Sequence, residues 1–173
     1  MVNGIWTIQN KEEEKLLRKK TLPFDFAKYS KAEIRELIDQ MRRAMRDANG
    51  IGLSANQIGL NINVFVGQVP IGREKSKFYA IFNAEPERTG KEKSISEEGC
   101  LSVPGIYGHV ERPEQITIVG QDRNGKQVKI KAWGLLGRMF QHEMDHLQGA
   151  LFIDKAKDLN ESPASERLKK KHD

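Results

Sequence analysis

Two histidines four residues apart flank a glutamate in His142-Glu143-Met144-Asp145-His146. On an α-helix, residues i and i+4 share a face, so both imidazoles can aim at one metal ion. Glu143 stands one step round from His142. That places its carboxylate to handle a proton on a metal-held water rather than to ligate the metal. Two ligands do not make a hydrolytic site. A third ligand, a cleft and a donor for a developing negative oxygen must come from elsewhere in the chain.

The one cysteine, Cys100, lies in Glu98-Gly99-Cys100-Leu101-Ser102-Val103-Pro104-Gly105. A single cysteine is usually a small buried hydrophobe. Here a glycine clears space beside it and an acid stands near enough to orient a ligand. A thiolate would complete a Cys/His/His set and leave a fourth tetrahedral position open. Such a set suits zinc, iron, nickel or cobalt, and affinity order favours copper or zinc over iron. A further stretch, Gly50-Ile51-Gly52-Leu53-Ser54-Ala55-Asn56-Gln57, has two glycines about an isoleucine. Backbone there can lie close against another strand or a ligand, and Gln57 offers an amide donor. His109 and His172 lie outside any ligand spacing and read as surface or structural histidines.

These residues need elements to hold them. The 173 residues favour one domain, long enough to bury a core without staples. With 31% charged and 38% hydrophobic residues, wholesale disorder is excluded. No apolar run approaches the ~20 residues of a membrane span. The opening Met1-Val2-Asn3-Gly4, soon followed by Glu12-Glu13-Glu14, is neither a secretory signal nor an Arg-rich transit peptide. One cysteine excludes an internal disulfide and fits a reducing cytosol, so the expected compartment is the cytoplasm. A net charge of +5 permits attraction to a nucleic-acid-rich partner without demanding it, and nothing points to sequence-specific nucleic-acid binding.

Residues 5–8 read as a short strand and 11–20 as a solvated arm anchored by Leu16 and Leu17. Pro23 makes 22–26 extended. Ser30-Lys31-Ala32-Glu33 is a capping box. The apolar spacing Ile34, Leu37, Ile38, Met41, Ala44, Met45, Ala48 then predicts an amphipathic helix of about five turns, with Met41 and Met45 in the core and Asn49-Gly50 as its stop. Strands are expected over 62–66 and 78–82, with a polar connection between them. An exposed charged loop is expected over 85–97. A hairpin without chemistry should run from 115 to 131 through Asp122-Arg123-Asn124-Gly125. From Gly134 the period is helical again, with apolar residues on several sides, so this helix should be buried until Gly149 ends it. Residues 151–153 read as a short strand. The fold class is α+β in a single domain over 1–173. It has a buried central helix carrying H-E-x-x-H, enclosed by short mixed or antiparallel sheets, plus the N-terminal amphipathic helix. Approximately 1–29 form an N-terminal arm and 155–173 a polar, basic tail ending in Arg167 and Lys169 to Lys171.

Three words now stand in order: G-I-G-L-S-A-N-Q from Gly50, E-G-C-L-S from Glu98 and Q-H-E-M-D-H from Gln141. Together they resemble peptide deformylase, the enzyme that removes the formyl group from the initiator methionine of new chains. The resemblance extends over 34–154. It takes in Ser102-Val103-Pro104-Gly105, Val110-x-Arg112-Pro113, the hairpin with Asp122 and Gly125, and Leu147-x-Gly149-x-Leu151-Phe152.

The resemblance implies that Cys100, His142 and His146 bind the metal and that Glu143 is the general acid/base. It implies an oxyanion site made by Gln57 and the backbone N–H of Leu101. Ile51, Gly52, Glu98, Leu135 and Met139 would line or shape a methionine pocket. The implied native metal is ferrous iron, oxygen-sensitive beside a thiolate, with Zn2+, Ni2+ or Co2+ as substitutes. Formyl-Met nascent polypeptides are the implied substrates. Apart from the resemblance, the charges from Arg167 to Lys171 suggest docking on the ribosome, with a frayed, solvated tail as the alternative. Three features depart from the family pattern. Ser54 stands where alanine is common, Ala84 follows Asn83 where proline is usual, and 8–12 lacks the customary proline. Two competing readings are a zinc endopeptidase, against which the cysteine ligand and E-G-C-L-S argue, and a structural metal protein with a closed fourth position.

Overall fold

The computed structural model describes residues 4–72 and 74–161. Arg167, Lys169 to Lys171 and His172 fall outside the described residues. In chain order the elements are α1 (Lys11–Leu17), α2 (Lys31–Asp47), β1 (Gly52–Ser54), β2 (Val64–Pro70), β3 (Ser76–Thr89), β4 (Lys93–Cys100), β5 (Val103–Pro113), β6 (Gln115–Gln121), β7 (Gln127–Trp133), α3 (Gly134–Leu147) and β8 (Lys157–Glu161). One sheet runs β1-β2-β3-β6-β7 and the other β4-β5-β8, antiparallel in every named strand pair. The α+β class read from the sequence holds.

The capping box forms as expected. Ser30 Oγ accepts from Glu33 N at 3.2 Å, and the Glu33 carboxylate accepts from Ser30 N at 2.7 Å. Ile34, Ile38, Met41 and Met45 then lie buried along one stripe of α2, packed with Leu53, Val64, Val66 and Phe82 of the five-stranded sheet. The stop comes at Asn49, whose φ of 56° is left-handed. Gly50 completes the stop, its N–H donating to Met45 O at 2.9 Å, and it also makes room, because a Cβ there would come 2.8 Å from Leu101 Cδ1.

α3 is buried on several sides, as its composition required. Met139, Phe140, Met144 and Leu147 pack against Phe65, Ile81, Ile118 and Ala132. Arg138, His142 and Asp145 face β4 and β5, where Glu98 and Arg112 meet them. Gly149 follows at a φ of 77°, with the main chain of Arg18 lying where a side chain would go.

Five expectations are corrected. Residues 5–8 form no strand. Trp6 N donates to Gln57 O at 2.8 Å and Ile8 N to Ser102 O at 3.0 Å, so single bonds to two different segments replace a ladder. The charged segment 11–20 holds the short helix α1, capped by the Asn10 side chain and weighted with acids in its first turn; Leu17 is buried and does anchor it. The segment 85–97 is mostly strand, because β3 runs on to Thr89 and β4 starts at Lys93. Its side chains are exposed and charged, but the ladder needs only backbone groups, and the pairing with β6 shifts register around Pro86, which has no N–H to give. Residues 152–154 are a 3-10 turn, closed by Asp154 accepting from Leu151 N at 2.8 Å. The segment read as a tail contributes β8, an exposed edge strand on β5. No helix among the described residues is long and apolar enough to cross a membrane.

Candidate active site

β4 delivers Cys100 at its last residue, and α3 delivers His142 and His146 from adjacent turns. The cysteine sulfur and one nitrogen of each ring lie within 4.8 Å of one another. Cys100 Sγ is 3.1 Å from His146 Nε2. His142 turns Nδ1 to Glu98 Oε2 at 3.0 Å, which leaves Nε2 for the centre. His146 Nδ1, in contrast, is buried without a partner among the described residues, so nothing comparable fixes its tautomer. One soft sulfur and two imidazoles meeting at a point suit a transition-metal ion and leave a coordination position for solvent or substrate. The residues fit such an ion.

Charge around the sulfur favours the ligating form. Burial pushes the Cys100 thiol up, but the charge of His146 and hydrogen bonds from His142 and His146 outweigh it and bring the pKa to about 5. Burial would lower His142, yet its bonds to Cys100 and Glu98 raise it well above the usual imidazole range. Ser102 N donates to the sulfur at 3.4 Å and Gln57 Nε2 approaches it at 3.7 Å.

Glu143 is buried, and burial raises its pKa; the His142 and His146 charges and a Ser54 hydrogen bond offset only part of that rise. Gln57 has its amide oriented at both ends. Its Oε1 accepts from Ser54 N at 2.9 Å, and its Nε2 donates to Ser102 Oγ at 3.1 Å. Ile51, Gly52, Gln57, Glu98, Cys100, Leu101, Leu135, Met139, His142 and Glu143 all border one cleft of about 530 Å³. His146 stands behind it, at 1% exposure. Ile51 and Leu135 are rim residues at 44% and 50% exposure, whereas Met139 is buried at 3% against Gly67.

Glu98 takes the part open to an acid beside Cys100, that of orienting a ligand. It borders the cleft, but its carboxylate is already engaged. Arg112 Nε and Nη2 donate to it at 2.6 and 2.9 Å, Arg138 Nη1 at 2.8 Å, and His142 completes the set. Burial would raise its pKa, but Arg112 and His142 together hold it well below the usual carboxylate range. Glu98 therefore orients a ring and offers no free charge to a ligand. Arg112 also donates to Asp145 Oδ2 at 2.8 Å, which accepts Lys155 through its other oxygen at 2.7 Å. This network was not assigned from the sequence, although the signal was present. Gly108, Val110 and Arg112 alternate on the buried face of β5, and a buried arginine demands acids. Arg138 lies one helical turn before His142, on the same face. Asn56, whose Nδ2 donates to His146 O at 2.7 Å, was likewise missed.

The polypeptide deformylase family model matches residues 5–162. A peptide deformylase of Rhizobium meliloti (strain 1021) is 46% identical over 123 residues, which is 71% of this chain and 71% of that protein. The crystal structure of a probable peptide deformylase from Synechococcus phage S-SSM7 superposes with a TM-score of 0.78 at 38% identity, over 87% of this chain and 97% of that one. A Met-Ala-Ser-bound class I type b peptide deformylase from Acinetobacter baumannii superposes with a TM-score of 0.80 at 28% identity, over 90% of this chain and 98% of that one. The matched span includes both sheets, α2, α3 and every residue of the cleft, and the chain belongs to the peptide deformylase family, metal-dependent hydrolases that remove the formyl group from nascent polypeptides.

Proposed function

We propose that in this chain Cys100, His142 and His146 hold one divalent ion, ferrous iron in the cell with zinc, nickel or cobalt as substitutes, and that Glu143 is the general acid/base of deformylation. The observation that carries this reading is the meeting of the sulfur and two imidazole nitrogens within 4.8 Å beside a cleft that Glu143 and Gln57 also line. When bound, the ion supplies positive charge that makes hydroxide available near neutral pH and polarises a carbonyl.

Glu143 takes the proton of the attacking water and hands it to the departing amine, so the formyl C–N bond breaks, formate leaves and a free amino terminus remains. A carboxyl held above its usual range by burial is suited to that exchange. Gln57 Nε2 and the Leu101 N–H donate to the formyl oxygen as it becomes negative. Ser54 N–H holds the Gln57 carbonyl at 2.9 Å, which keeps the amide from flipping. The methionine side chain packs among Ile51, Gly52, Leu135 and Met139, with Glu98 at the border. The relative with Met-Ala-Ser bound supports a methionine-first product. The open cleft of about 530 Å³ disfavours a structural metal protein with a closed fourth position.

The test is metal analysis of anaerobically purified protein paired with assays on formyl-Met-Ala and on unformylated peptides. Stoichiometric iron, formate release from the first substrate and no cleavage of the second are expected; activity that survives prolonged aeration of the iron-loaded protein would contradict the iron assignment. The basic residues Arg167 and Lys169 to Lys171 are read as a contact with the ribosome, which places the enzyme in the cytoplasm near emerging chains. Unchanged ribosome co-sedimentation after their deletion would remove that contact.

A further inference from the structure

β1 is built around Glu143. Side chains alternate along a strand, so Gly52 and Ser54 share the face toward α3, while Leu53 points the other way into the core shared with α2. Gly52 makes room, since a Cβ there would overlap Glu143 Oε1. Ser54 is fully buried, and its Oγ lies 2.8 Å from Glu143 Oε2 and 2.9 Å from the Glu143 main-chain oxygen. A buried hydroxyl must find partners, and both oxygens within hydrogen-bond distance of this one belong to Glu143. The hydroxyl thereby ties the end of the side chain to the helix backbone from which it springs. Glu143 Oε1 has no hydrogen-bond partner among the described residues. The Ser54 main chain is fixed in turn by pairing with Phe65 of β2 and by its N–H bond to Gln57 Oε1 at 2.9 Å.

We propose that Ser54 is a positioning residue for deformylation in this chain: its hydroxyl anchors Oε2 of Glu143, and Oε1, against Gly52 at the cleft wall, is the oxygen that meets the reacting groups. This rests on the reading of Glu143 as the acid/base. The terminal torsion of a glutamate is broad and two-fold, so an unanchored carboxyl turns its plane. Anchoring one oxygen fixes where the other points. Ser54 therefore holds two of the groups that act on the formyl unit, Glu143 through its hydroxyl and Gln57 through its N–H. Only the first link depends on the side chain. Alanine in its place leaves the second intact.

The experiment compares Ser54→Ala, Glu143→Ala and the parent, each full-length and metal-loaded, with kcat and KM for formyl-Met-Ala measured separately beside metal content and the solvent isotope effect. Ser54→Ala is expected to fold and to keep its metal and its KM. Its kcat should fall about tenfold, with a larger solvent isotope effect as proton transfer becomes more limiting. A kcat within about twofold of the parent, or a loss that appears in KM or metal content instead, overturns the tether. Glu143→Ala keeps the two readings apart. Normal turnover there sinks the acid/base assignment itself, whereas a dead Glu143→Ala beside a normal Ser54→Ala sinks only the role given to Ser54.

Discussion

Glu143 carries the sharpest consequence at the scale of single residues. It ligates nothing in the proposed arrangement, so Glu143→Ala should keep the metal while turnover falls by roughly a hundredfold to ten-thousandfold. Metal analysis and a formate-release assay on the same preparation check both halves. Cys100, His142 and His146 were legible because ligand chemistry restricts residue type and helical geometry restricts spacing. Ser54 was legible only as a departure from the family pattern. Its hold on Glu143 spans 89 positions in the chain, and no local pattern encodes a contact that long. Glu98 shows the same limit. Its place beside Cys100 suggested an acid that orients a ligand, but its partners Arg112 and Arg138 come from β5 and α3, which no local pattern names.

Among the elements, β5 and α3 are joined by a buried charge network. Arg112 is 3% exposed and serves both Glu98 and Asp145. Arg112→Leu should therefore cost up to roughly 3–5 kcal/mol, because it takes the two-pronged donor from the buried Glu98 carboxylate and leaves only Arg138 and His142 on it; denaturant unfolding would show it, and a loss below about 1 kcal/mol would mean the network relaxes around the gap. The start of α2 makes a pH prediction. The Ser30 backbone N–H, then its hydroxyl, hold Glu33 below its usual value. A carboxylate whose folded pKa is depressed adds stability above its unfolded value of about 4.3 and loses it as pH falls below that. Glu33→Ala should thus lower the melting temperature more at pH 7 than at pH 3. Equal shifts at both pH values would show that the carboxylate's charge is irrelevant. α2 and α3 were readable because capping residues and apolar spacing mark helices in one dimension. The ends of β3, β4 and β8 were not. Their side chains are solvated and charged, so the only signal of strand is the backbone ladder, which a list of side chains does not display.

For the molecule as a whole, the site sits where β1 of one sheet, β4 of the other and α3 converge, and the N-terminal segment laces these parts together. Trp6 and Ile8 bond to Gln57 and Ser102, Thr21 N and Oγ both donate to Leu147 O at the end of α3, and Arg18 pairs with Asp154. That segment reads as an arm because, Asp154 apart, these partners are backbone carbonyls, which have no sequence identity. The proposed ion would cross-link β4 to α3 at this junction. Chelation should therefore abolish turnover and also lower the melting temperature, and iron returned under argon should restore both. Loss of activity with an unmoved melting curve would place the ion elsewhere than between those elements.

The claim beneath all of this is that one sulfur and two imidazoles share an ion. X-ray absorption at the zinc edge of the zinc-loaded protein measures it directly. The prediction is one sulfur at about 2.3 Å and two imidazole nitrogens at about 2.0–2.1 Å, with the remaining position filled by a light solvent atom, and loss of the sulfur shell in Cys100→Ser. A spectrum without sulfur, or one unchanged by that substitution, would contradict the account.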